Sequence, residues 1–444
     1  MISNLNFNKW RNLSVNIFSL TGVHLANNLL PFFTVPIVVR IIGPEKLGLL
    51  NFSMTFIQYF LLFISFGFDL TVVRKISINR HNKEYINSTF NTIIFARLIL
   101  LLISFIAFLT IVYSFESLRE NSFLHFSTFL CCIGVAFFPS WLYQGMEDLK
   151  FIAVVNFLVK ISYVLLILIF LKTKSDFVYQ NLFIGITHAV GGILAYIIAI
   201  NRYNLKFKLV KYRDVLLSFK EASTLFLSNL ATNIYSYCHP LIIGIFCNIE
   251  SVGIFSAASR LEIILNAFMI MAFNQALFPI IASRFGESLN NGLDFINKVL
   301  PIYLLTSLFV VFSIEITAPF IISIIYGNKF QESILILRII GLLPITSCLT
   351  TLLGVHLMLN LKLDRQYLNI NSCCYIIGIM CSYYFIYKFN YIGAAIAWVI
   401  TEVLLVIVML WYLKKFHSYI IDSILNPNFW HTRLTTAGKY LSGK

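Results

Sequence analysis

Apolar runs of roughly 20 residues recur along the whole chain, separated by short polar stretches. About twelve of them predict membrane-crossing helices, near 13–38, 47–68, 86–113, 122–145, 151–171, 178–200, 221–246, 253–281, 297–320, 334–359, 367–387 and 392–413. The runs are continuous rather than alternating, which argues against a transmembrane β-barrel. The expected fold class is therefore an all-α polytopic membrane protein. The longest polar connection is "NRYNLKFKLVKYRDVLLSFK", 201–220, between the sixth and seventh runs.

A faint internal repeat divides this pattern. Pro36 and Pro240 each lie late in the first helix of a six-helix half. Gly48 and Gly253 each open the next helix, in "GLLNFSM" and "GIFSAAS", and Pro139 and Pro344 share nearly the same spacing of about 205 residues. The predicted organisation is an N-lobe at 1–205, a basic cytoplasmic inter-lobe loop at 206–220, a C-lobe at 221–415 and a cytoplasmic tail at 416–444. Two repeats around a central cavity is a common transporter plan.

Composition changes the picture little: 59% of residues are hydrophobic, 12% are charged, and the mean hydropathy is +0.84. Charge changes it more. The net charge of +14 suggests nucleic acid, but the basic residues sit beside the apolar runs and form no basic domain. Placing the N-terminus in the cytoplasm puts 22 of the 33 Lys and Arg residues inside and 7 outside, with Arg97, Lys160, Arg260 and Arg338 within helices. That asymmetry predicts both termini inside. The N-terminus shows no small-residue cleavage site, so the first run is expected to be a retained helix.

Polar residues inside apolar runs are the candidates for chemistry, because a mid-membrane charge costs about 2.5 kcal/mol or more on insertion scales. The basic ones are Arg97, Lys160, Arg260 and Arg338; the acidic ones are Asp69, Glu262, Glu315 and Glu402. Arg338 and Glu315 are near enough to helix ends to snorkel. Arg260 and Glu262 are two residues apart and so point to different sides of one helix. In the seventh helix Thr224, Ser228, Thr232, Tyr235 and His239 share a narrow face. In the first, Asn16, Ser19, His24, Asn27 and Asn28 share about half the circumference. Such stripes glue helices together or line a wet cavity, and the second use is the expectation here. The four carboxylates are candidates for ion coupling, with H+ or Na+ as the ion. The eight cysteines and eight histidines show no metal-ligand spacing, there is no P-loop, and no loop is large enough for a glycosyl-transfer site. No cofactor, no metal site and no catalytic constellation is expected.

The segment 27–80, with Pro31, Pro36, "GPEKLG" (43–48), "FGFDL" (66–70) and the basic stretch Arg74–Arg80, resembles the start of the Wzx proteins. These are polysaccharide-repeat-unit flippases of bacterial O-antigen and capsule clusters, within the multidrug/oligosaccharidyl-lipid/polysaccharide exporter superfamily. "FPSWLYQGMEDLKFIAVVN", 138–156, carries a second match. The resemblance implies translocation of an undecaprenyl-diphosphate-linked oligosaccharide across the bacterial inner membrane by alternating access. It further implies that Arg97, Lys160 and Arg260 meet the diphosphate or acidic sugars. His24, Asn28, Ser228, Thr232, Tyr235 and His239 would complete the lining. It also implies an O-antigen polymerase and a chain-length regulator as partners. The competing expectations are a membrane polymerase or ligase of the same pathway and a drug/cation antiporter of the same superfamily.

Overall fold

The computed structural model describes the backbone of residues 2–417 and, apart from residues 2–33, 70, 228, 229, 272, 275 and 276, their side chains. The described residues are almost wholly helical and contain no strand. The tail expected at 416–444 lies outside the described residues beyond His417.

The chain begins with α1 (Ile2–Ser65), which is two helices joined across Gly43 at φ 77°. That backbone conformation suits glycine, and Pro44 after it restricts Gly43 to an extended ψ. A second left-handed turn at Phe66 and Gly67 leads into α2 (Phe68–Ile78). There follow α3 (Lys83–Ser114), the short α4 (Glu116–Arg119), α5 (Ser122–Phe137) and α6 (Ser140–Gly145). Then come α7 (Leu149–Phe170), α8 (Val178–Tyr203), α9 (Tyr212–Phe246), α10 (Ile249–Glu287) and α11 (Leu289–Ile325). The chain continues through α12 (Glu332–Ile340), α13 (Leu343–Thr350), a π-helical stretch (Thr351–Met358) and α14 (Asp364–Phe416). α14 is again two helices, divided at Asn390 with φ 54°, a conformation asparagine tolerates better than most residues. Among the described residues, nine helices are long and apolar enough to cross a membrane.

Two boundaries differ from the sequence expectation. The loop predicted at 206–220 is helical from Tyr212 onward, because α9 starts there. Asp214 in its first turn suits the positive end of the helix dipole, and Val215 is buried in an apolar cluster. The fourth predicted span is broken at Phe138–Pro139, which separates α5 from α6. Proline has no N–H to donate, and it forces Phe138 into an extended conformation. Pro344 lies in the first turn of α13, just after the break from α12.

The contacts form two compact units. The first comprises residues 1–256 and 323–330; its core gathers Ile57, Phe90, Phe108, Trp141 and Tyr143. The second comprises 257–322 and 331–444, around Ile296, Tyr303, Leu357, Met358 and Met409. Helix α3 shows how one span serves two environments. Ile93, Arg97, Leu100, Ser104 and Phe108, spaced three or four apart, are buried. Leu102, Phe105 and Ile106, on the other side, are exposed. In lipid both faces are equally apolar, so packing and hydrogen bonds hold α3 in place rather than water exclusion.

Candidate functional site

The charged residues within the spans fall into three arrangements. In the first unit, Arg97 on α3 is about 1% exposed. Its Nη2 donates to Asp69 Oδ2 at 2.9 Å, and its Nη1 donates to the carbonyls of Val135 and Phe138, both at 3.1 Å. Asp69 Oδ1 accepts from Ser140 Oγ at 2.6 Å. The two carbonyls lie at the end of α5, where Pro139 has no N–H to offer Val135 and the Phe138 carbonyl also accepts from the Ser140 N–H at 3.0 Å. Arg97 therefore neutralises Asp69 and caps a broken span in one act, which suits a planar guanidinium. Its Nη donors are committed inside the protein, while its Nε is buried without a partner.

In the second unit, Glu315 on α11 and Arg338 on α12 pair more loosely, at 3.7 Å, with side chains 39% and 45% exposed. Arg260 and Glu262 on α10 separate as their spacing predicts. Arg260 is exposed, with no ion-pair partner among the described residues. Glu262 is about 1% exposed, and neither carboxylate oxygen has a hydrogen-bond partner. One turn further, Asn266 donates through Nδ2 to Ser347 Oγ at 2.8 Å, while its Oδ1 is buried without a partner. Glu402 on α14 lies within electrostatic range of Glu262, and also of Cys374 and Tyr375. Among the described residues no basic side chain pairs with Glu262; the charged group within its electrostatic range is a second carboxylate.

The remaining candidates are dispersed. Lys160 is partly buried on α7, a span that buries little of its surface, and its charge reaches His188 on α8. Of the stripe on α9, Thr232 is partly buried, while Tyr235 and His239 are buried. The Tyr235 and His239 rings meet edge to face at 5.3 Å, and His239 stacks on Phe255 at 5.9 Å. That end of the stripe is packed against aromatic side chains rather than open. The side chains of His24, Asn28 and Ser228 lie outside the described residues.

Two features escape a reading of motifs. Gly48 and Gly253, separated by 205 positions, face each other directly within the first unit. A Cβ on Gly48 would come within 1.8 Å of the Ile249 carbonyl, and one on Gly253 within 2.0 Å of the Pro44 carbonyl. Ile249 is related to Pro44 by the same offset, so the contact is reciprocal, as across a local two-fold axis. Under the predicted orientation it lies on the outer side. On the inner side, Lys75 pairs with Glu221 at the edge of a cavity of about 220 Å³. Thr71, Tyr85, Ser88, Thr92 and Ser218 line it. Beside it Phe66 stacks on Phe226 at 4.5 Å and meets Phe219 at 5.2 Å. Neither pairing is legible locally, because each joins segments more than 140 residues apart.

Outside the spans, Asp176 accepts from the backbone N–H groups of Thr173 and Lys172 at 2.7 and 3.1 Å. These bonds hold its carboxyl below the usual 3.8.

Comparison with known proteins adds the following. The family described as polysaccharide biosynthesis protein matches residues 13–285. A putative O-antigen transporter of Escherichia coli (strain K12) is 26% identical over 411 residues, covering 93% of this chain and 99% of that protein. A putative O-antigen transporter of Shigella dysenteriae is 26% identical over 405 residues, covering 89% and 98%. Among solved structures, an inward-facing multidrug resistance MATE family transporter of the MOP superfamily superposes with a TM-score of 0.69 at 16% identity, covering 89% of this chain and 96% of that one. The lipid II flippase MurJ, in an inward closed conformation, gives 0.68 at 15% identity, covering 94% and 93%. At these identities the structural likenesses establish the fold.

Proposed function

The chain belongs to the polysaccharide biosynthesis protein family, and from that premise we propose that it is a flippase for undecaprenyl-diphosphate-linked O-antigen or capsule repeat units. It is a multi-pass membrane transporter of the polysaccharide type rather than an enzyme, located in the bacterial inner membrane. The observation that carries the finer reading is the near end-to-end match to two proteins named as putative O-antigen transporters, each covered over at least 98% of its length. A fold shared with a multidrug resistance transporter and a lipid II flippase is consistent with it.

In this reading Arg260 is the group that meets the diphosphate. It is the intramembrane arginine of α10, it is exposed, and its guanidinium has no carboxylate partner among the described residues. Two parallel N–H donors match a phosphate edge, and charge-assisted bonds of that kind are among the strongest in proteins. Arg97 holds its own span together and leaves the cargo to Arg260. The reciprocal glycine contact supports alternating access, because two backbones in van der Waals contact part without exposing a charge or breaking a hydrogen bond.

The test is to delete the gene and locate the lipid-linked units in intact spheroplasts with a membrane-impermeant lectin or glycosidase. Wild-type and Arg260→Ala copies are returned on plasmids. The expected result is units shielded in the deletion strain, accessible with wild type and shielded again with Arg260→Ala. Units that reach the outer leaflet without the protein, yet are not polymerised, would rule out translocation.

A further inference from the structure

Four carboxylates sit in or at the ends of membrane spans, and the structure sorts them. Asp69 and Glu315 are each matched with an arginine. Glu262 and Glu402 have no such partner among the described residues, and the charge of Glu402 reaches Glu262. Glu262 is the most demanding of the four. It is about 99% buried, and neither oxygen accepts a well-formed hydrogen bond, with the Asn266 side chain beside it. A carboxylate in that position is untenable as a bare anion; it must carry a proton or hold a cation. A second carboxylate in its field makes two simultaneous negative charges costlier still.

The surroundings distinguish between the two. Every unpartnered atom here is an acceptor: Oε1 and Oε2 of Glu262 and Oδ1 of Asn266. Asn266 follows Glu262 by four residues, so both side chains lie on one face of α10. Its Nδ2 is already given to Ser347 on α13. A single proton on Glu262 supplies a donor that can satisfy both Glu262 and Asn266 Oδ1. A metal ion would ask for a fuller shell of oxygens, and no group of three or more His, Cys, Asp or Glu that could hold a metal occurs among the described residues. The other ionisable groups in range of Glu402 are Cys374 and Tyr375, on the first half of α14. Arg260, two residues before Glu262, is exposed and turned away. No cation among the described residues is placed to neutralise the pair.

We propose that Glu262, with Asn266 and Glu402, forms an intramembrane proton-binding site in the second unit, holding one proton on the Glu262–Glu402 pair. As the coupling site of a flippase it rests on the function proposed above; as a protonated site it stands alone. The site is assembled from α10, α13 and α14, so any shift of these helices changes the separation of two like charges and with it the hold on the proton. Proton binding is in this way tied to helix position by electrostatics alone.

Infrared spectroscopy of the purified full-length protein in lipid tests the site without any substrate. The expected result is a protonated-carboxyl C=O band at neutral pH that shifts in D2O, is lost in Glu262→Gln and persists in Glu262→Asp. Glu402→Gln is expected to alter the pH at which the band titrates. Adding Na+ in place of choline at fixed pH is expected to leave the band unchanged. A missing band at neutral pH, a band that survives Glu262→Gln, or a band removed by Na+ overturns the proposal. A missing band with normal flipping in spheroplasts removes the site and keeps the flippase; an intact band with flipping independent of the gene does the reverse.

Discussion

The two compact units solve the same problem in opposite ways. Each contains a buried ionisable side chain within a span. In the first, the Arg97 Nη groups meet Asp69, which Ser140 also supports, and the Val135 and Phe138 carbonyls, although its Nε has no partner. Neighbouring neutral groups Ser53, His125, Thr128 and Asn181 are bonded in one network. In the second, Glu262 faces another carboxylate and an amide oxygen. A satisfied network stabilises one arrangement and resists change; an unsatisfied one is held at an energetic disadvantage until something binds. The difference identifies where the molecule invests in rigidity and where it keeps chemistry open.

The sharpest way to break this contrast is Arg97→Ala. It leaves the Val135 carbonyl without a donor and Asp69, 38% exposed, with Ser140 alone, and should cost about 2–3 kcal/mol of stability. Thermal unfolding followed with a thiol-reactive dye would read it, since Cys131, Cys132 and Cys374 are buried. Next is Gly253→Ala, whose new methyl meets the Pro44 carbonyl at 2.0 Å, too close for any rotamer to relieve. A loss of about 1–3 kcal/mol is expected by overpacking, in the same assay. Glu262→Gln should leave stability within about 1 kcal/mol of wild type, because it replaces a protonated carboxyl by a neutral amide of nearly the same shape. A fall comparable to that of Arg97→Ala would mean that Glu262 has a partner after all. The smallest effect belongs to Arg338→Ala. Its 3.7 Å contact with Glu315 is more than a third exposed, so a change of about 0–1 kcal/mol is expected. If Arg338→Ala matched Arg97→Ala, burial would not be what separates the two arginines.

Much of the fold could be read from the chain, because apolar length and flanking charge are local signals. The break at Gly43 falls between two predicted spans, and the opposed directions of Arg260 and Glu262 follow from helical pitch, whereas the break at Pro139 falls inside a span expected to be continuous. The start of α9 was missed, since Val215 and Phe219 are too few to signal a helix without the apolar cluster they pack into. The site was legible as an inventory only. Whether an intramembrane charge is structural or functional depends on what lies opposite, and Asp69 reaches Arg97 from 28 positions away while Ser140 reaches Asp69 from 71. Asn266 carried a weak signal, one turn from Glu262 on the same face. Nothing in the chain pointed to Ser347.

The Arg97 cap also constrains how the protein is made. Its acceptors come from both sides of it in sequence: Asp69 is synthesised before Arg97, and Val135 and Phe138 after it. When the third span enters the bilayer, Asp69 can offset part of the insertion cost of about 2.5–3.5 kcal/mol, but the carbonyls have yet to join it there. The third span is then half-satisfied until the fourth arrives and breaks at Pro139. Slowing synthesis between residues 97 and 140 should expose that waiting state to membrane proteases, whereas a pause after Ser140 should not.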